Sequence, residues 1–224
     1  MLTGKKAVIF DLDGTLIDSM WVWAELDRVY MKKYNLTPPS GFSKQLEGKS
    51  YTETAQFFLD VFPDLPCTLD EIKEEWLHMT KELYRTKVEL KPGVREFLVD
   101  LKKRHILTGI ATSNTRELVE ITLRELGIIN YFDVIRTACE VERGKPFPDV
   151  YLKVAEDLQV SPRECLVFED VPKGIEAGKN AGMQVCAVED YFSKEERAKK
   201  KEQADFFIQT YDQIAKETYE RCRK

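Results

Sequence analysis

The chain has 224 residues, of which 34 are basic and 39 are acidic, and 43% of the residues are hydrophobic. A chain of this length can bury a substantial core, and its net charge of -5 argues against nucleic acid or an anionic membrane as the main partner. Neither His78 nor His105 has a second histidine at metal-ligand spacing, which argues against a zinc hydrolase or a serine triad. Any catalysis is therefore expected to rest on carboxylate, amine and hydroxyl groups.

The apolar segments and the cysteines favour a cytoplasmic protein without a membrane partner. A run of only four apolar residues precedes Asp11, which is too short for a secretory signal. No window approaches the roughly 18 apolar residues of a membrane span. The five cysteines are odd in number and contain no C-x-x-C pair, as expected of reduced residues in the cytosol.

A short apolar strand at residues 7–10 leads directly into two acidic residues, Asp11 and Asp13. Its apolar, partly β-branched composition is typical of a strand covered on both faces in a parallel sheet. In an extended backbone residues two apart project to the same side, so both carboxylates are expected to face one site. Gly14 allows a sharp turn after them. Because the two acids repel each other, a cation and an anionic ligand are expected beside them.

Residues 19–87 are predicted to contain helices and loops and no strand. Apolar residues recur there at spacings of three and four. Segments 50–53 and 68–71 both have the Ser/Thr-x-x-Glu pattern of a capping box, which predicts that a helix begins at each. Asp18 and Ser19 are expected to cap the first helix of this region.

From residue 94 onward the pattern alternates between helix and strand. Predicted helices span 94–104, 115–126, 149–158, 172–181 and about 193–201, and predicted strands span 106–112, 132–136, 165–168, 184–188 and 205–208. Repeated units of this kind imply a parallel sheet with right-handed crossovers. The predicted fold class is α/β: a Rossmann-like parallel sheet core with helices on both faces and an inserted α-helical cap domain. The predicted division assigns residues 1–17 and 89–224 to the core and 18–88 to the cap.

Reactive side chains follow three of the predicted strands. In open α/β sheets, ligands bind beyond the carboxyl ends of the strands, near the point where the strand order reverses. A lysine lies in the Gly-Lys-Pro-Phe-Pro-Asp loop that precedes the helix at 149–158. The candidate residues are Asp11 and Asp13 after the first strand, Thr112, Ser113 and Asn114 after the second, Glu169 and Asp170 after the fourth, and Lys145 in the loop.

Taken together, these motifs resemble those of the haloacid dehalogenase superfamily of aspartyl phosphohydrolases. The match consists of Asp-Leu-Asp-Gly-Thr at residues 11–15, followed by Thr112, Lys145 and the Glu169-Asp170 pair. The helical insertion resembles the cap of the subgroup that contains β-phosphoglucomutase and many small-metabolite phosphatases. Residues 46–51 are similar to the cap specificity loop of that subgroup.

The resemblance implies a role for each core residue. Asp11 would attack phosphorus and form an aspartyl-phosphate, which replaces one difficult displacement by two easier ones. Asp13 would act as general acid and base. Lys145 would hold the nucleophile and the phosphate together. Phosphoryl oxygens would be bound by Thr112, Ser113, Asn114 and Lys145.

The charges of this constellation call for a divalent cation. Four carboxylates and a phosphate dianion face one lysine, and each unit-charge pair at about 4 Å is worth roughly 4 kcal/mol at an effective dielectric near 20. Oxygen ligands beside a phosphate favour Mg²⁺. The expected ligands are Asp11, the main-chain carbonyl of Asp13, Glu169 either directly or through water, and Asp170.

The expected function is that of a Mg²⁺-dependent phosphatase acting on a small phosphorylated metabolite, as a monomer or weak homodimer. A sugar-phosphate mutase is the first alternative, but β-phosphoglucomutase has a histidine and an arginine where this chain has Trp23 and Tyr51. Trp23, Lys49 and Tyr51 are the candidate substrate contacts in the cap. A cap lysine such as Lys49 also leaves a phosphonate hydrolase open.

A phosphorylation-dependent receiver module is the alternative that is not an enzyme. It also groups acids, a threonine and a lysine around a metal. Its phosphoacceptor, however, would follow a middle strand, and it would contain no helical insertion. Turnover of an aryl phosphate many times would distinguish an enzyme from such a switch.

Overall fold

A seven-stranded, mostly parallel sheet forms the centre of the fold in the computed structural model, which describes residues 1–46 and 48–222. Within these residues the strands are β1 (Ala7–Phe10), β2 (Ile17–Asp18), β3 (Glu89–Leu90), β4 (Leu107–Thr112), β5 (Val134–Thr137), β6 (Cys165–Glu169), β7 (Gln184–Val188), β8 (Phe206–Ile208) and β9 (Glu220–Arg221). The strands of the sheet follow the order β5-β4-β1-β6-β7-β8-β9, and β2 and β3 form a separate two-stranded ribbon.

Strand β1 lies between β4 and β6, and both pairs are parallel. The strand order therefore reverses at β1, which is where open α/β sheets bind their ligands. The predicted α/β fold with a parallel sheet is confirmed. The sequence does not predict β9, which pairs antiparallel with β8 and is only two residues long.

Helices cover both faces of the sheet and also form the insertion between β2 and β3. They are α1 (Met20–Lys33), α2 (Phe42–Leu46), α3 (Tyr51–Val61), α4 (Leu69–Thr86), α5 (Val94–Lys103), α6 (Arg116–Glu125), α7 (Asp149–Asp157), α8 (Pro172–Asn180), α9 (Arg197–Gln203) and α10 (Asp212–Ala215). The helix predicted at about 193–201 begins later than expected, because residues 194–196 form a 3-10 turn.

Alternate residues of β1 belong to two different hydrophobic clusters. Val8 and Phe10 pack in the cluster that contains α5 and α6 residues such as Leu98. Ala7 and Ile9 pack in the cluster of α7 and α8. This alternation follows from the two-residue period of a strand, and burial on both faces explains why β1 is apolar throughout.

The inserted helices α1, α3 and α4 bury a third hydrophobic cluster, centred on Tyr30, Phe58 and Trp76. Both predicted capping boxes are present, at Ser50 before α3 and at Thr68 before α4. The insertion therefore has a core of its own, as a cap domain requires. The ribbon of β2 and β3 joins it to the sheet.

Neither Asp18 nor Ser19 makes the side-chain capping bond that the sequence predicts for α1. Ser19 occupies the N-cap position of α1 but makes no side-chain capping bond. Its hydroxyl donates to Asp13 Oδ1, at 2.6 Å. Asp18 is an exposed residue of β2.

Among the described residues, none of the helices combines the length and apolar character that a membrane crossing requires.

Candidate active site

A buried lysine joins two carboxylates at the carboxyl ends of β1 and β6. Phe10 and Phe168 are register partners in these adjacent parallel strands, so Asp11 and Glu169, the next residues, also lie side by side. The Nζ atom of Lys145 donates to Asp11 Oδ1 and to Glu169 Oε1, at 2.6 Å in each case. The structure therefore brings together three residues that the sequence places far apart.

Burial makes these charges interact strongly. Burial and the neighbouring Glu169 raise the pKa of Asp11 to about 7, even though Lys145 opposes the shift. Burial alone would lower the pKa of Lys145, but the carboxylates of Asp11 and Glu169 raise it well above its usual value. Lys145 is therefore held as an ammonium ion between the two acids.

Glu169 has donors on both of its oxygens. Oε1 also accepts from the Tyr151 hydroxyl at 3.1 Å, and Oε2 accepts from the amides of Asp170 and Val171 at 2.8 and 3.1 Å. A Cβ atom at Gly174 would lie 1.7 Å from Oε1, so only glycine leaves room for this carboxylate. These contacts allow Glu169 to hold Lys145 and the backbone at the end of β6.

Asp170 has one oxygen that is bonded and one that is not. Oδ1 accepts from the Thr15 hydroxyl at 3.0 Å. Oδ2 is buried and has no hydrogen-bond partner among the described residues. Burial, with the nearby charges of Glu169 and Asp11, raises the pKa of Asp170 well above its usual value. An oxygen of this kind is costly to bury unless a ligand supplies the missing interaction.

Asp11, Glu169 and Asp170 together fit a divalent cation. One side-chain oxygen from each lies within 4.8 Å of the others. When all three carboxylates are ionised they face one ammonium group, and two negative charges are then unbalanced. An all-oxygen donor set of this kind suits a hard cation such as Mg²⁺. The carboxylate of Asp13 does not belong to this group. The sequence predicts the main-chain carbonyl of Asp13, not its carboxylate, as a metal ligand.

The half-buried Asp13 carboxylate is held by three donors. Oδ1 accepts from Ser19 Oγ at 2.6 Å and from the Tyr84 hydroxyl. Oδ2 accepts from Asn114 Nδ2 at 2.9 Å. Burial and the adjacent Asp13 charge raise the pKa of Tyr84 well above its usual value, so the phenol remains a donor.

The predicted phosphate-binding segment follows β4. Thr112 is buried, and its hydroxyl accepts from the Asn114 amide at 3.1 Å. It does not cap α6, because Thr115 is the N-cap and accepts from the Leu118 amide. The main-chain amide of Asn114 is thus already bonded to Thr112, and its side chain is bonded to Asp13. Asn114 therefore orients Thr112 and Asp13.

The three cap candidates differ in where their polar groups point. Trp23 lies against Tyr84, with ring centroids 5.9 Å apart. The Tyr51 hydroxyl donates to the Lys73 carbonyl at 2.9 Å, within the cap. Lys49 Nζ lies 5.3 Å from the centroid of the Phe57 ring. The predicted specificity loop at 46–51 also includes Glu47, which lies outside the described residues.

The start of α3 is seated directly on two loops of the sheet domain. The Tyr51 amide donates to the Ser113 carbonyl at 3.0 Å. A Cβ atom at Gly48 would lie 2.6 Å from the Lys145 carbonyl oxygen, and a Cβ atom at Gly144 would lie 2.5 Å from Glu53 Oε2. Two glycines therefore allow the cap to close over the loop that contains Lys145.

Four residues support this site through contacts that the sequence does not predict: Thr15, Ser19, Tyr84 and Tyr151. Thr15 belongs to the Asp-Leu-Asp-Gly-Thr motif, so its position near Asp170 had a sequence signal. Tyr84 and Tyr151 lie inside amphipathic helices, where an aromatic residue is usually part of the core. No sequence pattern distinguishes them from their neighbours.

Comparison with known proteins gives one family match and several relatives. The profile of the haloacid dehalogenase-like hydrolases matches residues 8–188. A phosphorylated carbohydrates phosphatase of Thermotoga maritima is 32% identical over 179 residues, covering 80% of this chain and 82% of that protein. A bifunctional riboflavin kinase/FMN phosphatase of Arabidopsis thaliana is 34% identical over 186 residues, and the match spans 82% of this chain but only about half, 48%, of that protein.

A solved structure with a similar fold is that of β-phosphoglucomutase from Clostridium difficile. Its TM-score is 0.77 at 25% sequence identity, and the alignment covers 96% of both chains. The sheet and the helical insertion thus both have counterparts in one known protein.

Proposed function

The chain belongs to the haloacid dehalogenase-like hydrolases and is a phosphoric monoester hydrolase of that family. From this premise we propose its catalytic mechanism and the class of its substrate. It is a Mg²⁺-dependent phosphatase that acts on a small phosphorylated metabolite through an aspartyl-phosphate at Asp11. The observation that carries this proposal is the convergence of Asp11, Lys145 and Asp170 in one buried cluster. Residues 18–88 are its cap.

In the first step an oxygen of Asp11 attacks phosphorus, and the bond from phosphorus to the ester oxygen breaks. Lys145 is bonded to Oδ1 of Asp11, so it fixes the orientation of the nucleophile and offsets its charge. Asp13, in its protonated form, transfers a proton to the leaving oxygen. The products of this step are the dephosphorylated metabolite and a phosphorylated Asp11.

In the second step water attacks the aspartyl-phosphate. Asp13, now a carboxylate, takes a proton from the water as the bond from phosphorus to Asp11 breaks. Inorganic phosphate leaves, and both aspartates return to their starting forms. Thr112 and the Ser113 amide, at the end of β4, are the proposed contacts of the phosphoryl oxygens.

Asp11 and Asp170 would hold Mg²⁺ together with the main-chain carbonyl of Asp13. The ion would offset negative charge on the phosphoryl oxygens during transfer. The unpartnered Oδ2 of Asp170 is the observation that supports a ligand here.

The size of the substrate is limited by the cap. The start of α3 lies on the Lys145 loop, and Trp23 packs against Tyr84, whose hydroxyl donates to Asp13. A small metabolite therefore fits better than a polymer. The T. maritima relative is named for phosphorylated carbohydrates, and this supports a sugar phosphate or a similar molecule as the substrate.

The first experiment measures phosphate release from 4-nitrophenyl phosphate with Mg²⁺ and after chelation. Many turnovers are expected with Mg²⁺, none after chelation, and full recovery when Mg²⁺ is restored. The Asp11→Asn variant should be folded and inactive, whereas Asp100→Asn, a surface residue paired with Arg104, should match the wild type. Activity in Asp11→Asn equal to that of the wild type would refute Asp11 as the nucleophile.

A second assay separates the phosphatase from a mutase. Conversion of β-glucose 1-phosphate to glucose 6-phosphate is followed alongside phosphate release from a panel of sugar phosphates. Phosphate release without isomerisation is expected, since Trp23 and Tyr51 stand where a mutase has histidine and arginine. A single turnover per chain in either assay would instead support a receiver-type switch.

A further inference from the structure

Tyr84 links the helical insertion to the carboxylate of Asp13. It lies in the last turn of α4, and its ring is 1% exposed in the hydrophobic cluster that also contains Val22 and Val88. The Trp23 ring packs edge-on against it, 5.9 Å away between centroids. A ring buried in this way has little freedom, so its hydroxyl is held in one direction.

That direction is toward Asp13. The Tyr84 hydroxyl donates to Asp13 Oδ1 and accepts from Asn114 Nδ2 at 3.2 Å, while the same amide group also donates to Asp13 Oδ2 at 2.9 Å. The two donors thus brace each other and, together with the Ser19 hydroxyl on Oδ1, hold both carboxylate oxygens. Asn114 comes from the sheet domain and Tyr84 from the insertion, so the arrangement is complete only when the insertion is docked.

We propose that Tyr84 is a positioning residue that orients the Asp13 carboxylate for proton transfer and makes that orientation depend on the docked cap. The inference rests on the acid–base role of Asp13 in the proposed function. A reacting group misplaced by about 1 Å can lose about 10²-fold in rate. Holding Asp13 at both oxygens prevents such a displacement.

The test compares Tyr84→Phe with Tyr30→Phe as the matched control. Tyr30 is also a buried tyrosine of the cap, but its hydroxyl has no hydrogen-bond partner among the described residues. Both variants lose one oxygen atom from a buried ring. Thermal melting establishes that each is folded, and kcat and KM are then measured with Mg²⁺ present.

The leaving group provides a readout that a merely structural role would not change. An alkyl phosphate needs a proton on its leaving oxygen, whereas 4-nitrophenyl phosphate needs it much less. For Tyr84→Phe we expect kcat/KM to fall about tenfold or more with the alkyl phosphate and distinctly less with the nitrophenyl ester. Tyr30→Phe should match the wild type with both substrates.

A double-mutant cycle with Asp13→Asn supplies the second measurement. Once Asp13 cannot transfer a proton, Tyr84→Phe should lower kcat/KM by less than about twofold, because the two residues act as a unit. If Tyr84→Phe does not fold, Tyr84→Met provides the same comparison, since methionine fills irregular space and also lacks the hydroxyl.

Three results would overturn the inference: Tyr84→Phe equal to Tyr30→Phe, equal losses with both leaving groups, or full additivity with Asp13→Asn. These results differ from a failure of the proposed function. In that case the wild type itself would show no turnover, or Asp11→Asn would retain it.

Discussion

At the scale of single residues, Asp170 separates two explanations of the acidic cluster. If the cluster only braces the ends of the strands, Mg²⁺ has no effect on stability. If Asp170 Oδ2 is a metal ligand, binding of Mg²⁺ to the folded state stabilises it. The two cases can be distinguished without any assay of activity.

We expect Mg²⁺ to raise the melting temperature of the wild type, since an excess of about 100-fold over Kd contributes about 2.7 kcal/mol. The Asp170→Asn variant should lose this increase. Asp100→Asn is the control, because its carboxylate pairs with Arg104 on the surface. A shift in Asp170→Asn as large as in the wild type would remove Asp170 from the metal site. Differential scanning calorimetry with and without Mg²⁺ makes the measurement.

Gly174 allows a second prediction at this scale. A Cβ atom there would lie 1.7 Å from Glu169 Oε1, so Gly174→Ala should displace the carboxylate that holds Lys145. We expect a loss of stability of at least about 2 kcal/mol and a much lower kcat, because a buried ion pair is disturbed.

Gly178→Ala is the comparison for Gly174→Ala. It places a Cβ atom 2.8 Å from the end of the Val185 side chain, away from the site. The free energy of unfolding of Gly178→Ala should fall, but its kcat per folded molecule should stay at the wild-type value. Urea denaturation gives the stability and steady-state kinetics give kcat. An unchanged kcat in Gly174→Ala would mean that Glu169 does not hold the active geometry.

The core of the site could be predicted from the sequence, but its supporting contacts could not. Asp11 follows β1 and Glu169 ends the adjacent parallel strand β6, so the pairing of these strands brings the two acids together. Tyr84 lies 71 residues after Asp13, at the end of a helix whose orientation is set by packing within the insertion. Ser19 has the sequence of a helix cap, but its backbone is not extended as it is at Ser50 and Thr68, and its hydroxyl donates to the Asp13 carboxylate.

At the scale of secondary-structure elements, the two capping boxes of the insertion have different surroundings. Thr68 begins α4 on the surface, with exposed hydrogen bonds. Ser50 begins α3 and is 3% exposed, with Gly144 of the Lys145 loop against it. The same local motif therefore serves helix formation at one position and cap docking at the other.

Ser50→Ala and Thr68→Ala should each lower the free energy of unfolding by about 1 kcal/mol, the usual cost of losing an N-cap. Only Ser50→Ala should also lower kcat/KM, because only α3 begins on the sheet domain. Chemical denaturation and steady-state kinetics test both variants. Equal kcat/KM values in the two variants would show that the start of α3 does not contribute to closure.

Long periodic elements were predicted well, whereas the two-residue strands β2, β3 and β9 were not. The capping boxes and apolar periodicity predicted α3 and α4 correctly, since each pattern contains several independent signals. Strand β9 has two exposed residues, so no alternation can reveal it. It exists because the edge of β8 is available to pair with it.

At the scale of the whole molecule, the aromatic cluster beneath the site is expected to dominate stability. Phe168 of β6 stacks on Phe10 of β1 at 5.3 Å and contacts Tyr211 at 5.3 Å and Phe97 at 5.4 Å. These contacts join the two strands that deliver Asp11 and Glu169. Packing and active-site geometry thus depend on the same rings.

Phe168→Ala should lower the free energy of unfolding by about 3–5 kcal/mol, because it opens a large cavity in a fully buried cluster. Phe192→Ala is the control, since that ring is 47% exposed, and its effect should stay within about 0.5 kcal/mol. Urea midpoints measured under identical conditions compare the two. Similar urea midpoints for the two variants would contradict the prediction that this aromatic cluster dominates stability.

The ribbon of β2 and β3 has a consequence for the evolution of this architecture. Ile17 faces Leu90 and Asp18 faces Glu89, so the polypeptide departs and comes back at neighbouring points. Because the entropy of closing a loop grows slowly with length, with each doubling adding only about 0.6 kcal/mol, segments of very different size can be spliced between these ends. The insertion between β2 and β3, and with it the substrate selectivity, can thus be exchanged while the reacting groups of the sheet keep their positions. Grafting the insertion of a distant homologue at this ribbon is a practical route to new selectivity.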